Sequence, residues 1–230
     1  MVTKLLNKSA KKFHLVSKLD FEQAAWRSGE LVCGVDEVGR GCLAGPVVAA
    51  AVIIPMGALI DGVRDSKKMG KEELVLVAQK LRQVSWWGVG ICDNYLIDSC
   101  NIRVATILAM RQAVANLLAV CHKSPTKILV DAMPLQQYFS PEIEVISAPK
   151  GEDWSYSIAA ASIIAKVQRD QLLGFYQEIF QKSGLGQHKG YGTESHYQYL
   201  SSIGQTIVHR KTFLQKFYQA QGDRQCQIFI

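Results

Sequence analysis

Paired cysteine motifs, internal repeats and the pattern of a secretory leader are not seen in this sequence, and each shapes the expectation of protein class. The six cysteines are scattered, with no C-x-x-C pair and no adjacent histidine couple, which excludes a zinc ribbon and a disulfide-framed secreted module. The opening residues, MVTKLLNKSAKKFH, are basic but have no apolar core and no small-residue cleavage pattern. No period of roughly 20–50 residues recurs, so solenoids and propellers are set aside. There is no phosphate-cradling P-loop and no G-x-S-x-G elbow. One stretch, 41–60, carries no charge, but Gly45-Pro46, Pro55 and Gly57 break it. It reads as buried strands with a turn, not as a membrane span.

What is present is a chain of 230 residues, 48% hydrophobic and 20% charged, enough for one globular domain with a full core. Lys and Arg number 26 against 20 Asp and Glu, and the net +6 fits a partner made of phosphates. Cys33, Cys42, Cys92 and Cys121 lie in or beside apolar runs, where a free thiol behaves as a small hydrophobe. A reduced, cytoplasmic protein is the expectation.

Hydrophobic spacing predicts strands over 31–35, 47–54, 84–92, 127–130 and 143–146. It predicts helices over 18–29, 71–83, 101–121, 157–181 and 193–203, the last with Thr193 as its N-cap. Residues 1–17 read as a frayed basic arm, and 214–230 carry no clear pattern. Strands lead and helices then alternate with them, as in an α/β layered domain.

Acids arrive where strands end. Asp36-Glu37 follows the apolar run LVCGV, and Asp131 follows KILV. Carboxylates at the C-terminal ends of adjacent strands converge on the crevice where open α/β sheets bind ligands. Glu152, Asp153 and Asp170 lie downstream and can join them. Clustered carboxylates repel unless a cation sits among them, and an all-oxygen set suits Mg²⁺ or Mn²⁺. Taken singly, each acid reads first as an ordinary turn or cap residue.

The turn Gly39-Arg40-Gly41 allows a ligand close to the backbone and adds a fork of donors. Asp65-Ser66-Lys67-Lys68 is a solvated loop or a phosphate contact. Ser162, Lys166 and Asp170 share one helical face, with Lys166–Asp170 as a surface pair. In His188-Lys189-Gly190-Tyr191-Gly192 the ring is either a buried tyrosine or a platform for a sugar or base. His209-Arg210-Lys211 reads as a solvated basic cluster available to phosphates.

Seven stretches occur together: GVDEVGRGCLAGPVVAAAV (34–52), DSKKM (65–69), NIRVATILAM (101–110), ILVDAM (128–133), SIAAASIIAKVQRD (157–170), HKGYGT (188–193) and VHRKTF (208–213). In content and order they resemble the ribonuclease HII family, the bacterial type 2 ribonucleases H. The resemblance implies a ribonuclease H-like α/β fold, with a central five-stranded mixed sheet flanked by helices and a small helical C-terminal region. It implies an N-terminal arm and short helix over 1–30, a ribonuclease H-like catalytic core over 31–182 and a helical substrate-contacting region over 183–230. It implies an endonuclease, most simply a monomer without membrane attachment, that acts on RNA/DNA hybrids and on duplex DNA containing ribonucleotides. Its catalytic and metal-binding acids fall on Asp36, Glu37, Asp131 and Glu152, holding Mg²⁺ or Mn²⁺. Its substrate contacts fall on Gly39, Arg40, Gly41, Lys67, Lys166 and Tyr191.

Two departures stand out. The family's Lys-Gly-Asp turn here is Lys150-Gly151-Glu152-Asp153, and counting back from Ile158 favours Glu152 over Asp153 as the fourth acid. The Pro that usually follows the Gly-Arg-Gly turn is Cys42, which frees φ there with little chemical effect expected. Two other classes remain: a hybrid-binding module disabled by the Glu152 change, and a DNA nuclease or recombinase on the same fold.

Overall fold

A computed structural model describes residues 19–220 and 228–229. Helix α1 (Asp20–Arg27) leads into strands β1 (Val32–Val38) and β2 (Val47–Ile53). Helix α2 (Lys71–Val84), strand β3 (Trp86–Cys92), and helices α3 (Asn94–Cys100) and α4 (Ile102–Val120) follow. Strands β4 (Lys127–Asp131) and β5 (Glu144–Ala148) precede a short α5 (Gly151–Trp154) and the long α6 (Tyr156–Ile179). The five strands form one mixed sheet in the order β3-β2-β1-β4-β5. β1–β2 and β2–β3 are antiparallel, while β1–β4 and β4–β5 are parallel. This is the five-stranded mixed sheet that the sequence led us to expect.

β2 shows why the strands are apolar without alternation. All seven residues of VVAAAVI are buried, because helices cover both faces of the sheet. Val47, Ala49, Ala51 and Ile53 join the core under α4, with Ala105, Ala109, Met110 and Leu117. Ala50 and Val52 join the opposite core under α6 and α2, with Ala160, Ile163, Ile164, Leu74 and Leu81. α4 is long and apolar enough to cross a membrane by length and composition. Its buried side chains lie on this sheet instead.

The same period of two carries Cys33 and Val35 to the α4 side and turns Asp36 toward α6. α6 lies so close to β1 that a Cβ on Gly34 would collide with the Ser157 backbone. Hence the start of α6 rests on β1 near the acid.

Several boundaries differ from the sequence expectation, for physical reasons. β1 runs three residues beyond Val35 because its antiparallel ladder continues through Asp36↔Ala50, Glu37↔Ala49 and Val38↔Val48. The parallel ladder with β4 stops at Val35↔Val130, so Asp36 stands one residue past it. α4 starts at Ile102 because Asn101, at φ 71°, caps it by accepting from the amides of Arg103 and Val104. α3, capped by Asp93, is too short for periodicity to reveal.

After α6 come α7 (Leu185–His188), α8 (Glu194–Ser202), strand β6 (Gln205–Thr206) and α9 (Lys211–Ala220). The side chain of Thr193 accepts from the His196 amide and caps α8 as expected. α9 corrects the patternless reading of part of 214–230, burying Leu214 against Leu43 and Leu200. β6 pairs in parallel with β7 (Ile228–Phe229). The expected arm over 1–17, and Cys226, lie outside the described residues. Cys33, Cys42, Cys92, Cys100 and Cys121 are free thiols, and burial pushes Cys33 up to about 12.

Candidate active site

A cleft of about 810 Å³ opens at the C-terminal edge of β1 and β4. Asp36, Glu37, Asp131 and Glu152 line it together with Ser66, Lys67, Ser162, Lys166, Asp170 and Tyr191. Asp36 is 7% exposed and accepts from the Glu37 amide at 2.8 Å. Asp131 accepts from the Gly151 amide at 3.1 Å, which ties the end of β4 to the α5 turn. Glu152 faces the cleft from that turn, whereas Asp153, the next residue around the helical turn, is exposed and lines no part of it. The turn is anchored from behind: Glu22 of α1 accepts from the Ser155 hydroxyl and the Ser157 amide, both at 2.8 Å.

The acids are held in an uncomfortable state. Burial first, then repulsion from Glu37 and Asp131, raises the Asp36 carboxyl well above the ordinary range, against a hydrogen bond from Ser162. Burial raises Glu37 against the pull of Arg40, and Asp131 adds to the rise. Glu152 is raised by burial and by Asp65 and Asp131, against Lys67. One oxygen of Glu37, Oε2, is buried without any hydrogen-bond partner. Ser66 and Ser162 bridge hydroxyl to hydroxyl at 3.0 Å beside Asp36, a link that lies outside the sequence reading of either residue. Lys67 reaches Glu152 at 3.5 Å, but its side chain is 82% exposed and neutralises little.

Among the described residues, no group of three or more His, Cys, Asp and Glu is already drawn tight enough to hold an ion alone. A hard divalent cation that takes part of its ligand set from water and substrate phosphates does not require such a group. Repelling oxygen donors and an unpartnered buried carboxylate oxygen are what a hard divalent cation would relieve. The residues therefore fit such an ion.

Gly39, Arg40 and Gly41 stand at the rim, just after Val38, and do not form the wall. Arg40 donates to Glu37 at 3.1 Å. Two buried arginines hold the turn from beneath. Arg210 donates to the carbonyls of Gly39 (2.6 Å), Arg40 (2.8 Å) and Gly45 (2.9 Å). Arg169 donates to those of Pro46 (2.9 Å), Ala44 (3.1 Å) and Lys189 (2.8 Å). Both are 0% exposed, and every acceptor just named is a backbone carbonyl. His209 too is buried, so the expectation of a solvated His209-Arg210-Lys211 cluster is corrected: of the three only Lys211 is exposed. Arg210 is buried because three backbone carbonyls take its guanidinium fork, and His209 because its ring is held between Thr206 and His196.

In the trans peptides of this turn each carbonyl points opposite to the next amide. The carbonyls of Gly39 and Arg40 face Arg210, so the amides of Arg40 and Gly41 face away from it, outward from the rim. The two glycines differ in kind. A Cβ on Gly39, at φ +92°, would strike the Arg169 guanidinium, whereas one on Gly41 meets nothing within 4 Å. Folding demands the first glycine and leaves the second free to serve a ligand. Gly41→Ala is therefore expected to leave stability within about 0.5 kcal/mol while lowering kcat/KM at least about tenfold. Thermal unfolding and steady-state cleavage check the two halves separately.

Tyr191 reaches the cleft from the loop after α7 and is 42% exposed. Cys42 is fully buried, and its thiol abuts the Tyr191 phenol, which burial and that thiol raise. The Cys42 departure thus touches the tyrosine directly, more than the sequence led us to expect. Segment 39–46 is also stitched to both flanks: Leu43 donates to the Gly190 carbonyl at 2.7 Å and Gly45 to Val208 at 2.8 Å. Lys166 and Asp170 pair at 2.9 Å on the cleft wall. Lys71 and Lys189 line the same end, and burial together with Lys71, Lys166 and Arg169 lowers the Lys189 ammonium. One end of the cleft is rich in carboxylates and the other in cations.

Behind the tyrosine loop lie three histidines that the sequence reading did not single out as a group. His188 stacks on His196 at 4.0 Å, and His196 meets His209 ring nitrogen to ring nitrogen at 2.9 Å. Burial pushes His196 down to about 4 and His209 to about 3, from an ordinary 6.5. Between these values the unfolded chain binds more protons than the folded one, so the pair costs stability as pH falls below about 6.5. The raised carboxylates act in the opposite sense. The expected result is that His209→Gln flattens the fall in Tm between pH 7.5 and 4.5 relative to wild type, measured by calorimetry.

A family model described as Ribonuclease HII matches residues 33–217. The ribonuclease HII of Alkaliphilus metalliredigens (strain QYMF) is 44% identical over 207 residues, covering 87% of this chain and 98% of that protein. The crystal structure of ribonuclease H2 from Pyrococcus horikoshii OT3 superposes with a TM-score of 0.63 at 25% identity, over 83% of this chain and 98% of the other. Bst-RNase HIII, solved in complex with Mn²⁺, shares the fold with a TM-score of 0.62 at 22% identity, over 84% of this chain and 65% of that one. With this sheet, this cleft and these matches, the chain belongs to the ribonuclease HII family and is a ribonuclease of the hydrolase class.

Proposed function

We propose that the enzyme cleaves the RNA strand of RNA/DNA hybrids and incises on the 5′ side of single ribonucleotides in duplex DNA, with divalent cations, Mg²⁺ or Mn²⁺, held by Asp36, Glu37, Asp131 and Glu152. The observation that carries this reading is the cleft itself, where four carboxylates share one floor with an unpartnered buried oxygen of Glu37. When bound, two divalent ions supply a nucleophile from water at neutral pH and offset the charge that gathers on the phosphate. Asp36, central and most buried, would hold such ions together with Glu37, Asp131 and Glu152. Ser162 and the Glu37 amide fix the Asp36 carboxylate in place.

Choice of substrate rests on the 2′-OH, the group that separates RNA from DNA. The outward amides of Arg40 and Gly41 and the open space at Gly41 let a sugar approach the backbone. Tyr191 packs on the sugar at the RNA-to-DNA junction, and Lys67 and Lys166 contact phosphates. Lys71 and Lys189 extend that cationic side. Contacts of this kind give salt-sensitive binding with little sequence preference. The helical region after residue 182 thus serves the substrate, and a cytoplasmic monomer is sufficient for the reaction.

The reading is tested by replacing the scissile 2′-OH in a hybrid with 2′-deoxy or 2′-O-methyl. Cleavage at that bond is expected to vanish while neighbouring bonds are still cut. Continued cutting at the altered position would remove the backbone turn from the recognition role.

A further inference from the structure

Proton positions in the histidine cluster are fixed by its partners. Thr206 donates its amide to His209 Nδ1 at 2.9 Å, so that nitrogen holds a lone pair and Nε2 carries the hydrogen. His209 Nε2 lies 2.9 Å from His196 Nε2, which must then accept. His196 Nδ1 is left with the hydrogen and donates it to the Tyr191 carbonyl at 2.9 Å. One direction of hydrogen bonding, from Thr206 through two neutral rings to Tyr191, satisfies every atom.

The neighbouring ring works on the other side of the tyrosine. His188 accepts from the Gly190 amide at 3.2 Å through Nδ1 and meets the Ser183 carbonyl at 2.9 Å through Nε2. Its ring is stacked on His196 with an interplanar angle of 17°. The Tyr191 carbonyl is thus held by the buried His196, and the amide of the preceding Gly190 by the half-buried His188. The tyrosine ring itself stands in the opening.

We propose that His196 and His209 are positioning residues for Tyr191: the buried chain of hydrogen bonds from Thr206 to the Tyr191 carbonyl sets where the ring stands against the substrate sugar. This rests on the reading of Tyr191 as the junction contact. The groups facing the chain are His188 from α7, Tyr199 from α8, whose ring lies parallel to His209 at 6.4 Å, and the Arg210 guanidinium beside it in sequence. A neutral aromatic carbon ring at 196 keeps the volume and the stack but removes both the donor to Tyr191 and the acceptor for His209. An asparagine keeps a donor near Nδ1.

The test compares kcat and KM for a DNA duplex with one ribonucleotide and for a continuous RNA/DNA hybrid, in wild type, His196→Phe, His196→Asn and Tyr191→Ala. His196→Phe is expected to lower the single-ribonucleotide to hybrid ratio of kcat/KM by about tenfold, mainly through kcat. His196→Asn restores most of it, a rescue that a purely structural role does not give. If folded His196→Phe keeps the wild-type ratio while Tyr191→Ala loses it, the positioning role is overturned and the tyrosine reading stands. If Tyr191→Ala itself keeps the ratio, the tyrosine reading falls and takes the positioning role with it. Should His196→Phe not fold, nitrogen-15 NMR of the wild-type rings decides: hydrogens on His196 Nδ1 and His209 Nε2 are expected, and the opposite pair of tautomers overturns the proposal.

Discussion

Asp36→Asn is expected to lower kcat by on the order of 10³-fold, about 4 kcal/mol at 1.36 kcal/mol per decade, while substrate binding holds or tightens. The amide keeps the shape and one acceptor oxygen, and the Glu37 amide can still donate to it. It loses the charge that a divalent ion requires, and it brings N–H hydrogens to the place where a cation belongs. Binding is spared because one negative charge leaves a cleft that must admit phosphates. Stability should move the other way. Burial, Glu37 and Asp131 hold the Asp36 carboxyl above its ordinary value, so the folded state binds more protons than the unfolded one and loses stability as pH rises through that range. At neutral pH and in EDTA, Asp36→Asn is therefore expected to melt at or above the wild-type temperature. Full Mg²⁺-dependent turnover in this variant would remove Asp36 from the reaction.

Arg210→Ala carries the largest expected loss of stability. Its guanidinium satisfies three buried carbonyls, those of Gly39, Arg40 and Gly45. Burial lowers it to about 10, so it stays charged at neutral pH even without water. Truncation strands the three oxygens, each worth about 1–3 kcal/mol when left unpaired, with partial relief from entering water. A loss of about 4 kcal/mol is expected, which for a chain of this size lowers Tm by roughly 8–16 °C. Arg210→Lys keeps the charge but not the fork, and falls between the two. Because the same carbonyls set the outward amides of Arg40 and Gly41, residual folded enzyme should also discriminate poorly against all-DNA duplex. A Tm within about 2 °C of wild type for Arg210→Ala would mean the turn holds itself.

An apolar run followed by a carboxylate can mark a strand end at the crevice of an α/β sheet, although any one such acid also reads as a turn or cap residue. Asp36 and Asp131 read that way, and the structure brings them to one cleft. Between Glu152 and Asp153, counting favoured the first, and local geometry agrees, since neighbours on a helical turn point in different directions. Ser162 was readable as sharing a face with Lys166 and Asp170, but its link to Ser66 was not, because the two are 96 residues apart. His209 and Arg210 misled for a deeper reason. Charge in a sequence suggests solvent, but Arg210 is buried on backbone carbonyls of segment 39–46 and His209 on Thr206 and His196, partners that leave no mark on side-chain pattern. α3 and α9 escaped because one is too short for periodicity and the other mixes aromatic with polar residues.

The most direct measurement is the incision of an end-labelled DNA duplex carrying one ribonucleotide, with Mg²⁺, Mn²⁺ or EDTA, beside an all-DNA duplex, mapped to the nucleotide. Carboxylates that hold divalent ions next to a turn open to a 2′-OH should give one metal-dependent cut on the 5′ side of the ribonucleotide and none in the control. Cutting in EDTA, or equal cutting of the all-DNA duplex, would contradict the account.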